Sequence, residues 1–206
     1  MGHLETAKEF IFRPAKAFDK NKKTSSDNAF MYLIVMTFIM ALLVAVVVAI
    51  VMSVAVFALT PFLVMVGIPA ELLAYMSMAT GVLPIMLFFG LLILGVLFKI
   101  IWSLWLHLWT YILGARKGVD QTFKSVFYGC TPVYILLWFP FVNIIAIIWG
   151  VVLTGMGLKK LHGFTTGKAI AALILAIFIP ILILFIIVGI ASTMPIGPGL
   201  TPVVYQ

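Results

Sequence analysis

Long, uncharged apolar runs are the feature that most restricts what this chain can fold into. Residues 30–59 and 169–191 contain no charged side chain at all. About 20 consecutive apolar residues are enough for a helix to cross the hydrocarbon core of a bilayer. With 65% hydrophobic and 9% charged residues, the chain also lacks the polar residues that cover a soluble fold. The sequence therefore predicts an all-α, multi-pass integral membrane protein.

Polar interruptions divide the chain into a short N-terminal segment, a helical bundle and a tail. In residues 1–29 apolar side chains recur at spacings of three and four, which is typical of an amphipathic helix at a membrane surface. Residues 60–81 contain two prolines and are predicted to form a loop. The predicted transmembrane helices are 30–59, 82–113, 123–139, 141–158 and 168–191, with a turn at Phe139-Pro140-Phe141 and an uncharged external tail at 192–206.

The positions of the cations decide between four and five spans, because residues 123–158 are compatible with one long helix or two short ones. With two helices, all loop cations fall on one side of the membrane, whereas a single helix would put Lys159, Lys160 and Lys168 opposite the rest. Cytoplasmic loops carry the excess of Lys and Arg. We therefore expect five spans, with the N-terminus cytoplasmic and the C-terminus outside.

The cytoplasmic loops form a predicted lipid- or partner-binding face. Clustered cations beside a bilayer attract anionic headgroups, so the net charge of +7 indicates membrane lipid rather than nucleic acid as the partner. The residues assigned to this face are Arg13, Pro14, Phe18, Lys22, Lys23, Arg116, Lys117, Gly118, Lys124, Lys159, Lys160 and Lys168.

A polar stripe on the second span is the other candidate site. Lys99, Ser103 and His107 share one side of the helix, while Trp102, Trp105 and Trp109 lie on the opposite side, which we expect to face lipid near the interface. The stripe either lines a cavity for an anionic solute or lipid headgroup, or Lys99 extends to the headgroups. No span contains an acidic partner for Lys99, which argues against a proton relay.

Small residues on the first span predict a helix-packing face. They recur at every fourth position, as Ala41, Ala45, Ala49 and Ser53. Such ridges let helix backbones approach closely in lipid. The ridge is predicted to pack within the bundle, or to join a second copy or another membrane protein.

Enzyme and metal signatures are absent from the sequence. The six acids form no catalytic pair, the three histidines lack metal-binding spacing, and there is no phosphate-binding glycine loop. The single cysteine, Cys130, excludes an internal disulfide and a cysteine-based metal cluster. We expect a non-enzymatic protein without cofactor or metal.

Three motifs between the predicted spans resemble those of the Yip1-domain family of membrane proteins. FIFRPAKAF (10–18) resembles the P-x-x-A-F segment before the first span. The spacing of Gly114, Gly118 and Phe123, followed by Tyr128 and Pro132, is similar to the loop and third span of the family. GLKKLHGFTTGKAIAAL (157–173), with Gly163 in its turn, resembles the connection that leads into the last helix.

The resemblance implies a five-helix bundle with a cytosolic N-terminus. Eukaryotic members act in vesicle traffic between endoplasmic reticulum and Golgi, and they bind Rab-type GTPases and each other. The short N-terminal segment here is more similar to a prokaryotic member, in a prokaryotic plasma membrane. The leading hypothesis is a role in membrane organisation through the basic cytoplasmic face. The alternative is a translocator of small solutes or lipids that uses Lys99, Ser103 and His107.

Overall fold

The chain folds into helices only, over the residues that the structure describes. The computed structural model describes residues 2–139 and 141–193. Within these ranges the helices are α1 His3–Phe12, α2 Pro14–Asn21, α3 Ser26–Met65, α4 Ala70–Ile112, α5 Val119–Gly129, α6 Thr131–Leu136, α7 Val142–His162 and α8 Thr166–Thr193. The predicted all-α class is confirmed. Pro140 and most of the predicted tail, residues 194–206, lie outside the described residues.

Four of the described helices are long and apolar enough to cross a membrane, namely α3, α4, α7 and α8 over Thr166–Ser192. The chain is therefore a multi-pass membrane protein. All four of these helices are longer than predicted. The fourth predicted span, 141–158, continues to His162, where Gly163 takes a left-handed conformation (φ 77°) and ends α7.

Helices α3 and α4 form a long hairpin, and the predicted loop over residues 60–81 is wrong. α3 continues through Pro61 to Met65, and α4 already begins at Ala70. The turn is set instead by Gly67, whose positive φ of 81° is the conformation that glycine adopts without steric cost. Its neighbour Ile68 donates its N–H back to the carbonyl of Leu63, 3.0 Å away, as in a helix C-terminal motif. Proline inside an apolar helix is tolerated because neighbouring groups compensate for the lost N–H.

The small-residue ridge of α3 lies partly inside this hairpin. Ala41 is fully buried and Ala45 is 7% exposed, whereas Ala49 is half-buried and Ser53 is exposed. The two helices approach closely one turn before Ala41, where a Cβ placed on Gly95 of α4 would lie 3.2 Å from Thr37. The buried half of the ridge is therefore used within the chain.

The third predicted span, 123–139, consists of two short helices, α5 and α6, with Cys130 between them. Pro132 has no N–H, so the carbonyl of Tyr128 loses its helical partner. The hydroxyl of Thr131 donates to that carbonyl, and its oxygen lies 2.7 Å from the hydroxyl of Tyr32 on α3. Since the one proton of Thr131 is engaged, Tyr32 is the donor. The proline break thereby ties α6 to α3.

Helices α5 and α7 lie close enough for backbone contact. A Cβ placed on Gly129 would lie 2.8 Å from the Cα and N atoms of Thr154, and one placed on Gly157 would lie 2.9 Å from the Cα of Ser125. No larger residue fits at either position without moving a backbone. The α5–α7 pair therefore depends on these two glycines.

Helices α1 and α2 pack against protein with part of the side that was predicted to face lipid, whereas Leu4 of that side is 66% exposed. Ala7, Phe10, Ala17 and Phe18 are at most 2% exposed. The ring of Phe10 stacks on Tyr128 at 4.7 Å between centroids and 12° between planes. The apolar positions of this segment bury themselves in the bundle because α3, α5 and α7 present aromatic rings and glycines to them.

The tryptophan side of α4 faces α8 and not lipid, which corrects the prediction for Trp105. Pro180 leaves the carbonyl of Ala176 without its helical N–H partner. The indole Nε1–H of Trp105 donates to that carbonyl at 2.9 Å. Trp102 and Trp109 are also half-buried against the core. The pairing explains the orientation, because leaving a carbonyl unpaired in a membrane interior is unfavourable.

We expect Gly129→Ala to destabilise the bundle by about 1–3 kcal/mol, as overpacking does in well-packed cores. The reason is the collision of the new Cβ with the Thr154 backbone. The measurement is thermal unfolding of the purified protein in detergent. Gly90→Ala is the control, since a Cβ there meets nothing within 4 Å. Equal effects of the two variants would refute the close α5–α7 contact.

Trp105→Phe is expected to cost about 1 kcal/mol more than Trp109→Phe. The first change leaves the Ala176 carbonyl unpaired. The second removes an indole N–H that has no hydrogen-bond partner among the described residues, on the same helix and with the same loss of ring area. Equilibrium unfolding of both variants provides the comparison, and a larger loss for Trp109→Phe would contradict it.

Candidate functional site

The N-terminal helices, the α4–α5 connection and the α7–α8 connection meet at one end of the bundle, which we call the basic end. There α4 ends, α5 and α8 begin, and α7 ends. His107 Nδ1 of α4 lies 2.9 Å from Thr122 Oγ1 of α5, and the same oxygen lies 2.9 Å from His162 Nε2 of α7. One threonine hydroxyl therefore links three helices.

The number of protons on the Thr122 hydroxyl restricts the direction of its two hydrogen bonds. The hydroxyl of Thr122 has a single proton, so it donates to at most one imidazole and accepts an N–H from at least one of them. Thr122 is fully buried and His162 is 6% exposed, so water does not replace either partner freely. Sequence spacing gives no signal for this arrangement, because the histidines are far apart in the chain and each looks isolated.

Loops and N-terminal helices are joined to the basic end by individual contacts. Lys160 on α7 forms an ion pair of 2.8 Å with Asp19 on α2. The ammonium of Lys117 lies 3.0 Å from where a Cβ on Gly163 would be, and Lys168 Nζ lies 3.6 Å from the corresponding point on Gly114. The structure thus brings together the three segments that the sequence assigned to one face.

Most of the predicted face residues are accessible at the basic end. Lys160 is half-buried, and the exposed cations are Arg13, Lys22, Lys23, Arg116, Lys117, Lys159 and Lys168. Arg116 is held in place, since its Nη1 donates to the carbonyls of Tyr111 and Ala115, each at 2.9 Å.

Four other residues assigned to the face have packing or conformational roles. Lys124 is only 4% exposed, and Phe18 is fully buried, with its ring edge 2.9 Å from the Cβ position of Gly157. Pro14 is the first residue of α2, where proline is preferred. Gly118 precedes α5 with a φ of 82°. These residues shape the basic end without presenting charge on it.

The polar stripe of α4 faces the protein. Ser103 is fully buried, and its hydroxyl donates to the carbonyl of Lys99 at 2.6 Å. The Lys99 ammonium lies 5.5 Å from the ring centroid of Tyr134, within the range of a cation–π contact. The buried hydroxyls of Tyr134 and Thr37 lie beside each other there. Tyr134 and Thr37 were missed by sequence reasoning, since single Tyr and Thr side chains in apolar runs are common.

Metal binding has no donor set here: among the described residues no three His, Cys, Asp or Glu side chains are grouped so that they could hold an ion.

Comparison with known proteins gives one match. A protein-family model described as the Yip1 domain matches residues 8–189, which run from α1 to α8. No match was found among curated proteins or among solved structures.

Thr122→Val should destabilise the protein by about 2 kcal/mol more than Thr122→Ser. Valine has the shape of threonine but leaves the buried Nε2 of His162 without its partner and removes the nearer of the two hydroxyl contacts of His107 Nδ1. A buried unpaired group costs about 1–3 kcal/mol. Serine keeps the hydroxyl and loses only a methyl group. Tryptophan fluorescence during thermal unfolding measures both. If the two variants unfold alike, the link between α4, α5 and α7 is not held by this hydroxyl.

Proposed function

The chain belongs to the Yip1-domain family, and from this premise we propose that it is a non-enzymatic membrane protein acting through its basic end. In this proposal the exposed cations bind anionic lipid headgroups and position the protein for partner proteins. Membrane organisation is the role that the family resemblance implies. The basic end is the surface through which the protein would perform this role.

The clustering of exposed cations from three distant segments is the observation that supports the proposal. A cation next to a bilayer contributes about 1 kcal/mol of attraction to anionic lipid, and several on one surface act together. Nearby acids neutralise few of them, since Asp19 is paired with Lys160 and Glu9 with Lys20. Such isolated surface pairs add little stability themselves.

We further propose five membrane crossings, with α5 and α6 together forming the third. Helix α7 has 21 residues, about 31 Å at 1.5 Å per residue, close to the hydrocarbon thickness of about 30 Å. The segment α5–α6 runs antiparallel to α7. It starts at the basic end, where Thr122 lies beside His162, and leads to the opposite end of α7. With five crossings, the basic end faces the cytoplasm by the positive-inside rule.

Translocation through the α4 stripe is the weaker alternative. Ser103 and His107 already have hydrogen-bond partners within the protein. Lys99 lies over an aromatic ring and not beside a carboxylate. These contacts favour a structural role for the stripe. Loss of lipid or solute flux in vesicles on Lys99→Met, with the fold retained, would revive the alternative.

Neutralising exposed cations is expected to reduce retention of anionic lipid. The test variant is Lys22→Gln/Lys23→Gln/Arg116→Gln/Lys117→Gln in the full chain. It is purified from mixed micelles of phosphatidylglycerol and phosphatidylcholine, and bound lipids are counted by native mass spectrometry. Each lost cation weakens attraction by up to about 1 kcal/mol, or roughly fivefold. The average number of bound phosphatidylglycerol molecules should fall at least threefold at low salt.

A charge-preserving variant serves as the control, with Lys→Arg at the three lysines and Arg116→Lys. It should retain lipid like the parent. Raising the salt to 0.5 M should reduce the difference between variants, because the screening length shortens. Unchanged phosphatidylglycerol retention in the neutralised variant would overturn the proposal.

A further inference from the structure

An apolar groove runs between α7 and α8 and starts at the basic end. Its volume is about 410 Å³. The floor is formed by Gly155 and Leu173, where a Cβ placed on the glycine would lie 3.1 Å from the leucine Cδ1. The missing side chain of Gly155 therefore lets α7 and α8 approach closely at this floor. Along the walls Val152 is 43% and Ile174 is 50% exposed, so the groove opens sideways, where bilayer lipid would lie.

The depth of the groove corresponds to one leaflet. Along α8 it extends from Thr166 to Phe178, a distance of about 18 Å at 1.5 Å per residue. Half of a hydrocarbon core of about 30 Å is about 15 Å. An acyl chain that starts at the basic end would thus fill the groove down to Phe178, near the middle of the bilayer.

One end of this apolar groove is polar and positively charged. Lys159 lines it there and donates from Nζ to the hydroxyl of Thr166 at 2.9 Å. Both residues are exposed, and in the described part of the chain Lys159 forms no salt bridge. Thr166 is the first residue of α8, where unpaired backbone N–H groups and the helix dipole favour an anion.

We propose that this groove is a binding site for an anionic glycerophospholipid. One acyl chain lies along Gly155 and Leu173, and the phosphate accepts hydrogen bonds from Lys159 and Thr166. The inference deepens the proposed function and rests on it, because it requires the basic end to lie at headgroup level. It adds one defined site to the diffuse attraction of the cationic surface.

Native mass spectrometry of the full chain tests the site with two lipids of the same acyl chains, phosphatidylglycerol and phosphatidylcholine. Lys159→Gln should lower the fraction of protein that carries one tightly held phosphatidylglycerol at least fivefold. Lys16→Gln removes the same charge from an exposed position of α2 that neither lines the groove nor belongs to the cations assigned to the basic end, and should change that fraction less than twofold. Equal losses in the two lysine variants would overturn the site.

A second pair of variants tests the acyl-chain part of the site. Val152→Trp fills the groove from an exposed wall and should reduce binding of both lipids, whereas Ile183→Trp adds the same ring to an exposed position of α8 outside the groove and should not. Soluble glycerol 3-phosphate at millimolar concentration should not displace the lipid. Displacement by it, or full lipid binding by Val152→Trp, would show that the groove does not hold the acyl chain.

The two proposals fail separately. If Lys159→Gln loses the tightly held lipid while the neutralised variant of Lys22, Lys23, Arg116 and Lys117 retains its lipids, the groove stands and the broad cationic surface fails. If only the neutralised variant loses lipid, the groove is overturned and the proposed function stands.

Discussion

The contact between α5 and α7 at Gly129 and Gly157 is the constraint on which the rest of the structure depends. In lipid, apolar surface gains little by leaving one apolar environment for another, so helices associate through close packing and hydrogen bonds. Two glycines let the backbones touch. The other sides of α5 are then available to α3 and α4, and Phe18 of α2 fits against Gly157. The basic end is assembled around this pair.

Two prolines contribute to the packing by freeing carbonyl groups. Pro132 frees the carbonyl of Tyr128, which is paired through Thr131 with Tyr32 of α3. Pro180 frees that of Ala176, which Trp105 of α4 pairs. A carbonyl without a partner is costly inside a membrane. At both positions a donor side chain pairs the carbonyl, and the resulting hydrogen bonds hold a neighbouring helix.

Features with a short-range cause were predictable from the sequence. Apolar runs predicted the long helices, and the break at Pro132 follows from its missing N–H. Two errors had a common origin, because burial direction depends on partners that the local pattern does not contain. The apolar side of α1 and α2 was assigned to lipid because the residues it packs against, Tyr128 and Gly157, are far away in the sequence and cannot be seen in the local pattern. Trp105 was assigned to lipid because the local pattern does not show its acceptor. That acceptor is a carbonyl on another helix, which a proline leaves without its helical partner.

The predicted loop at 60–81 failed for a different reason. Proline was treated as a helix end, as it is in water-soluble proteins, although apolar helices tolerate it. In the candidate site, the one-sided cations could be recognised by counting charges, but the His107–Thr122–His162 link could not. Its members carry no common spacing.

The burial of Phe10 against Tyr128 also has a consequence for the order of folding. Because its docking surface is synthesised much later than α1, the N-terminal helix must wait, undocked, until α5 has left the ribosome.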